Sequence, residues 1–286
     1  MRYVFLGLVA NSLLFAANMK IMSFNILLGG NNLYPLETTL EVMRRVDADV
    51  LGVQEADSNG AEIATRLGYH WHPVAKGTRP GGILSRYPIT QTFRQGAEIS
   101  LPGGEKVYVF SVHLMSGPYQ PYDIQEGKLK TEDAVIQAAK DARGAEIVEI
   151  LSEMAPLIAA KKPVFLVGDF NEPSHLDWTG AAGPGGAKLH SMTIKWPTSS
   201  AVLEAGLRDS YRTLYPNEVS KKGYTWTPID SAGEIHDRID FIYFAGDKVR
   251  PDQVQIVGEL GGPDVDIVGG LLYPSDHRGV VGRFSW

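Results

Sequence analysis

From Lys20 onward the chain reads as a series of short apolar runs, nearly all ending on a polar residue able to carry chemistry. "IMSFNIL" (21–27) is rich in strand-forming residues and stops at the turn signal Gly29-Gly30-Asn31-Asn32. Leu36, Leu40, Met43 and Val46 recur at helical spacing, which predicts a helix over 36–47. "DVLGVQE" (49–55), "GGILSRYPI" (81–89) and "KVYVFSVHL" (106–114) predict strands. In the last of these, Val107, Val109 and Ser111 alternate with Tyr108, Phe110 and Val112, so both faces are expected to be covered. Residues 131–160 form the longest helical stretch, with Ile147, Ile150, Leu151 and Met154 on one side. Gly144 and Pro156 punctuate it, predicting one interrupted helix or two, closed by Pro163. Strands return at "PVFLVGD" (163–169), "RIDFIYF" (238–244) and "VVGRFSW" (280–286). An irregular segment containing "GAAGPGGA" lies between Asn171 and Leu207, and a loop of that length in a compact domain is either functional or disordered. No repeat or linker divides the chain, so the expectation is one domain, a mixed-sheet sandwich flanked by helices.

The residues at the ends of the runs are Asn25, Glu55, His113, Asp169 with Asn171, Asp240, and Asp276 with His277. Singly, each has an ordinary role as a turn residue, a cap, an ion-pair partner or a hydrogen-bonded histidine. Repetition changes the reading. Ionisable groups are rarely buried unless paired or bound to metal, and a fold that ends strand after strand on them is converging them on one rim. Carboxylates, carboxamides and imidazoles together suit a hard-cation site with an acid–base pair. Asp169 and Asn171, two positions apart in "GDFN", can face the same side.

Composition narrows the chemistry. The 286 residues are 44% apolar and 21% charged, as in ordinary globular proteins. The absence of cysteine excludes disulfides and thiolate-bound metals and leaves oxygen and imidazole ligands. A net charge of −6 disfavours unspecific attraction to long nucleic acids, although a bound divalent cation can invert the local field for a phosphate substrate.

Residues 1–18 carry one Arg, an apolar stretch, then small Ala16 and Ala17, the pattern of a secretory signal peptide cleaved near those alanines. Residues 19–286 then form the catalytic domain of a secreted or periplasmic protein. Two other readings stand: the stretch is a buried first strand, or Met19 is the true start and the protein is cytoplasmic. Nothing further along approaches the roughly 18 apolar residues of a membrane span, so no membrane insertion is expected.

"SFNIL", "GVQE", "GGILSRYPI", "SVHL", "GDFNEPSH", "DRIDFIY" and "SDHRGVV" occur in the order found in the endonuclease/exonuclease/phosphatase superfamily, which the chain resembles from about Lys20 to its C-terminus. The resemblance implies a four-layered α/β sandwich, with two mixed β-sheets packed face to face and helices outside. It also implies hydrolysis of phosphate esters by in-line attack of activated water, with a divalent metal, Mg²⁺ or alternatively Mn²⁺, at the strand ends. By position, Glu55 matches the principal metal ligand, with Asn25 and Asp276 in support. His277 matches the catalytic histidine and Asp240 the carboxylate that orients it. Asp169 and Asn171 match the pair that positions the water and a phosphate oxygen, and His113 the second histidine facing the phosphate. The resemblance leaves open whether Asp169 or His277 takes the proton.

Substrate choice rests on two aromatic loops. "MSGPYQPYDI" holds Tyr119 and Tyr122 between prolines, and "EPSHLDWT" offers His175 and Trp178. Rigid rings beside a phosphate site suit a sugar, a base or another flat organic group. Basic residues are scattered, with no run beyond Lys161-Lys162 and Lys221-Lys222 and no alternating basic–aromatic surface. The expected partner is therefore a small phosphodiester or phosphomonoester, met by a monomer, with nucleic acid not favoured. A deoxyribonuclease-like endonuclease is the alternative. An inactive binding module is the third reading, opposed by the complete set of strand-end residues.

Overall fold

A computed structural model describes residues 17–74, 80–229 and 231–286. The expected leader lies outside the described residues up to residue 16, and Asn18 is already the first residue of a strand. That strand, β1 (Asn18–Asn25), is joined through α1 (Leu36–Val46) to the parallel strand β2 (Val50–Gln54). α2 (Gly60–Leu67) leads into the antiparallel pair β3 (His70–Val74) and β4 (Gly81–Ser85). β5 (Ile89–Thr92), β6 (Gly96–Ser100) and β7 (Lys106–His113) form an antiparallel meander. α3 (Gln120–Gln125), α4 (Glu132–Ala139) and α5 (Ala145–Ala159) then cross over to β8 (Val164–Asp169), parallel to β7. The second half adds α6 (Pro197–Glu204), β9 (Arg208–Asp209), α7 (Ser210–Leu214), β10 (Asp240–Ala245), β11 (Arg250–Gly258), β12 (Ile267–Val268) and β13 (Gly279–Ser285).

The strands make two mixed sheets, ordered β12-β11-β13-β1-β2-β4-β3 and β5-β6-β7-β8-β10-β9. Alternation along the strands decides what each face buries. Met19, Ile21, Val50 and Ile83 of the first sheet meet Val107, Val109, Phe165, Val167 and Ile242 of the second in the central core. Met22, Phe24, Leu51 and Val53 point the other way, under α1 and α2. Phe110, Leu166, Tyr243 and Phe241 do the same on the second sheet, beneath Ile147, Ile150 and Met154 of α5. This is the mixed-sheet sandwich flanked by helices that the pattern predicts, in the four-layered form that the family resemblance implies.

The long helical stretch is an interrupted helix, as expected: α4 and α5 are joined by a π-turn over Lys140–Gly144, whereas Pro156 lies within α5 and does not break it. Val135, Ala139, Arg143 and Ile147 are all buried at a spacing of four. On a strict 3.6-residue helix that spacing drifts about 40° per step, and the wider turn holds Arg143 on the covered side. The short strands β3, β5, β6, β9 and β12, and β11, escape the sequence reading. They are brief, punctuated or only partly covered.

The two sheets meet tightly where Gly52 faces Val167. A Cβ on Gly52 would stand 2.3 Å from Val167 Cγ2. Gly52→Ala is therefore expected to cost about 1–3 kcal/mol in urea unfolding by overpacking. Adding Val167→Ala should restore part of that loss, giving a favourable coupling in the double-mutant cycle. An additive double mutant would show that the sheets slide apart freely at this point.

Candidate active site

The same alternation that builds the central core sets the polar rim. Asn25 follows Met19, Ile21 and Ser23 on the inward side of β1, His113 follows Val109 and Ser111 on β7, and Asp169 follows Phe165 and Val167 on β8. Asp169 sits opposite His113 on one neighbour and Asp240 on the other. Glu55 breaks the rule, since inward-facing Gln54 precedes it and alternation would send Glu55 outward. Its left-handed backbone, φ 55°, turns it back over the rim, where Oε1 lies 3.4 Å from Asn25 Nδ2 and Oε2 accepts from Leu28 N at 3.0 Å. Asn171 (φ 48°) returns beside Asp169 in the same way.

Asp169 Oδ2 is the meeting point. It accepts from Asn25 Nδ2 at 3.1 Å and Asn171 Nδ2 at 3.3 Å, with His113 Nε2 at 3.5 Å and His277 Nε2 at 3.6 Å. Its other oxygen accepts from Asn171 N at 2.8 Å. The first two donors belong to different sheets, so one carboxylate oxygen ties the rims together. Below it, Ser23, Gln54 and Ser111 continue the link, with Gln54 Nε2 donating to Ser111 Oγ at 3.2 Å.

His277 is held from three sides. Nδ1 pairs with Asp240 Oδ2 at 3.0 Å, its backbone N donates to Ser275 Oγ, and its carbonyl accepts from Tyr273 OH. Thr225 Oγ1 accepts from the backbone N–H groups of Ile239 and Asp240, which fixes the carboxylate. Burial alone would lower the His277 pKa, but Asp240 and Asp169 outweigh it and raise the value to about 10. The indole of Trp226 lies 4.8 Å from the imidazole, and Trp226 pairs through its backbone with both Asp237 and His277.

Asp276 Oδ1 is buried with no hydrogen-bond partner among the described residues. Its pKa is raised by burial, with Glu55 and Asp169 adding to the effect and His277 opposing it. Crowded carboxylates with an unsatisfied oxygen fit a hard divalent cation, held by Glu55 and Asp276 with Asn25 beside them. Asp169, Asp240 and His277 also bring ligand atoms within 4.8 Å of one another. Within that trio His277 Nδ1 is engaged by Asp240 and Nε2 lies 3.6 Å from Asp169 Oδ2.

Of the four residues expected to touch substrate, two reach the site. Tyr119 and Tyr122 line a pocket of about 160 Å³ with Ser116, Asn171, Trp226 and Ile239. Trp178 is buried behind it, stacked on His190 at 4.2 Å, with Nε1 donating to Asp237 Oδ1 at 2.8 Å. His175 bonds to Ser199 through both N and Nδ1 and faces away from the cluster. Asp177, from the same loop, is an ion-pair anchor for Arg212 and Arg238.

Arg143, Asp237 and Trp226 escape the sequence reading. Arg143, fully buried, donates from Nε to Met115 O, from Nη1 to Gln120 Oε1 and from Nη2 to Pro118 O, clamping the loop that carries Tyr119. Glu172 Oε2 stands 3.9 Å from Arg143, while Glu172 Oε1 accepts from Thr198 N and Oγ1. The i+4 run of buried positions through Arg143 was the available signal; the other two residues lie in irregular chain.

Burial raises the Glu172 pKa from an ordinary 4.5 to about 7, against the pull of Thr198 and Arg143. The folded state therefore holds the proton more tightly than the unfolded chain does. The sign is that this group favours folding below about 4.5, and the contribution is lost as pH rises through about 7. In thermal unfolding across pH 4–8, Glu172→Gln is expected to lose that part of the slope. An unchanged profile would mean that Glu172 is solvated in the folded protein.

Residues 22–277 match the Endonuclease/Exonuclease/phosphatase family. The chain is 30% identical over 295 residues to the uncharacterised protein F14F9.5 of Caenorhabditis elegans, covering 93% of this chain and 91% of that one. Among solved structures it is similar to TDP2 from C. elegans, with TM-score 0.58 and 18% identity over 94% of this chain and 75% of the other. It is equally similar to the 3′ phosphatase NExo from Neisseria bound to product DNA hairpin, with TM-score 0.58 and 20% identity over 94% and 100%. The ordered motifs, the two-sheet sandwich and the match across most of its length lead to one conclusion: the chain belongs to the endonuclease/exonuclease/phosphatase family of phosphoester hydrolases.

Proposed function

We propose that the protein is an exported, Mg²⁺-dependent hydrolase of small organic phosphodiesters or phosphomonoesters, acting as a monomer. The observation that carries the reading is the convergence on Asp169 Oδ2. Two carboxamides and two imidazoles surround a buried carboxylate, beside an acidic pocket suited to a hard cation. Export is supported by the leader-like pattern of residues 1–18, and among the described residues no helix is long and apolar enough to cross a membrane. A small substrate is supported by the net charge of −6 and the single-ring dimensions of the pocket.

When bound, a divalent cation held by Glu55, Asp276 and Asn25 offsets the charge that builds on the phosphoryl oxygens and the leaving group. His113 Nε2 is the donor for a phosphoryl oxygen, while Asn171, its Nδ2 donating to Leu114 O and Asp169 Oδ2, holds Asp169 in place beside it. Water attacks phosphorus in line and its proton passes to the Asp169–His277 pair; the ester P–O bond breaks, and the leaving oxygen takes a proton from the same pair to depart as the alcohol. Asp240 holds His277 by Nδ1 and favours the imidazolium, the form its raised pKa gives it near neutral pH.

The nuclease reading draws on NExo, which is bound to DNA, although at 20% identity that likeness shows the fold alone. Bis(4-nitrophenyl) phosphate, 4-nitrophenyl phosphate and supercoiled plasmid, each with Mg²⁺, Mn²⁺ or EDTA, separate the two. Metal-dependent release of nitrophenol with intact plasmid is the expected outcome. Efficient nicking that weakens steeply with salt would promote the nuclease.

His277→Ala is expected to lower kcat about 10²–10⁴-fold while leaving the melting temperature nearly unchanged. Retained turnover would remove it from the chemistry. Mg²⁺ should raise the melting temperature of the wild type by binding the folded state, and Glu55→Gln should lose that shift. An identical shift in both proteins would take Glu55 out of the metal site.

A further inference from the structure

We propose that the pocket beside His277 receives one flat, uncharged six-membered ring of the ester, so that ring recognition rather than charge selects the substrate. The proposal rests on the phosphoesterase reading and adds the chemical class of the organic group.

Size is the first support. At about 160 Å³ the pocket is close to the roughly 150 Å³ apolar cavity that takes up a single benzene. Shape is the second. The rings of Tyr119 and Tyr122 stand 5.4 Å apart at 67°, forming a corner in which a ring lying flat on one wall meets the other edge-on. Both arrangements are favourable for aromatic pairs, and an aliphatic chair fills such a corner poorly.

The polar atoms of these walls are engaged elsewhere. Tyr119 OH donates to Asp237 Oδ2 at 2.8 Å, Tyr122 OH bonds to Glu234, and Trp226 Nε1 donates to Tyr122 OH at 3.4 Å. Ring carbon is what remains to face a ligand. Trp178 braces Asp237 from behind, which explains a buried tryptophan with no contact to the pocket.

Charge is the third support. None of Ser116, Tyr119, Tyr122, Asn171, Trp226 and Ile239 is cationic; the tyrosine hydroxyls meet the acids Asp237 and Glu234, and the nearby Arg143 is buried and spent on Met115, Gln120 and Pro118. A second phosphate, as in a polynucleotide or a polyphosphorylated sugar, would enter with no counter-charge. The pocket also opens on the reacting centre. Of its lining residues, Trp226 lies 4.8 Å from the His277 ring and the Asn171 amide is 3.3 Å from Asp169 Oδ2. A ring one carbon removed from the ester oxygen would therefore sit next to the reacting phosphate.

The test compares dibenzyl, bis(cyclohexylmethyl) and diethyl phosphate, and the three corresponding monoesters, with the full chain and Mg²⁺ or Mn²⁺. The alcohols are similar in acidity, so differences in kcat/KM report the pocket rather than the leaving group. Benzyl esters are expected to exceed both others by about tenfold. Tyr122→Phe should keep the preference and Tyr122→Ala should lose it. Equal rates for all three groups, or cyclohexylmethyl esters matching benzyl ones, would overturn the ring proposal while leaving the phosphoesterase reading in place. If no ester is hydrolysed, that reading fails, and tryptophan fluorescence then decides the pocket. Benzyl phosphate should change the emission of the wild type and not of Trp226→Phe, whereas ethyl phosphate should change neither. No response to benzyl phosphate in the wild type would overturn the pocket as well.

Discussion

A buried carboxylate needs donors, and in this protein a single oxygen of Asp169 draws them from both sheets. Asn25 approaches from the first sheet; Asn171 and His113 approach from the second. His277, just ahead of β13, completes the ring. Each donor arrives at hydrogen-bonding or near-contact distance only if β1, β7, β8 and β10 hold their register, because a slip of one residue would turn the side chain to the outer face. The sandwich core supplies that register. Gly52 lets the sheets close against Val167, and Gln54 bridges to Ser111 just below the rim.

On the proposed function, the fold around this centre separates chemistry from selection. The reacting groups lie on strand ends, where pairing and alternation leave little freedom. The selecting groups lie on irregular chain and are made rigid by buried polar anchors. Asp237 accepts from Tyr119 and Trp178 while pairing through its backbone with Trp226. Arg143 grips Met115, Pro118 and Gln120, and Asp177 pins Arg212 and Arg238. A buried polar network whose members are partnered rigidifies the chain that carries it.

How much of this was legible in the sequence follows the same division. Asn25, His113, Asp169 and Asp240 could be placed on one rim because they end strands of clear period. Glu55 belonged to a recognisable motif, but its return to the inner side depends on a left-handed backbone that no pattern announces. In the aromatic loops there is no period to read. Tyr119, Tyr122, His175 and Trp178 looked alike as candidates, yet the first two face the pocket while Trp178 packs behind it and His175 bonds to Ser199. Trp226 was invisible for the same reason, being carried to His277 by isolated backbone bridges rather than by a strand. The boundary lies where regular hydrogen bonding stops dictating side-chain direction.

The π-turn over Lys140–Gly144 gives the outer helix layer a part in shaping the pocket. A widened turn takes up about one residue more than an α-helical ladder would, so α4 and α5 stay in line across it. Losing a single residue from 140–144 would restore a continuous α-helix while moving or removing Arg143, whose guanidinium holds Met115, Pro118 and Gln120. Relatives of this chain could thus reshape the pocket by length changes in the outer helix layer, with every strand-end residue left as it is.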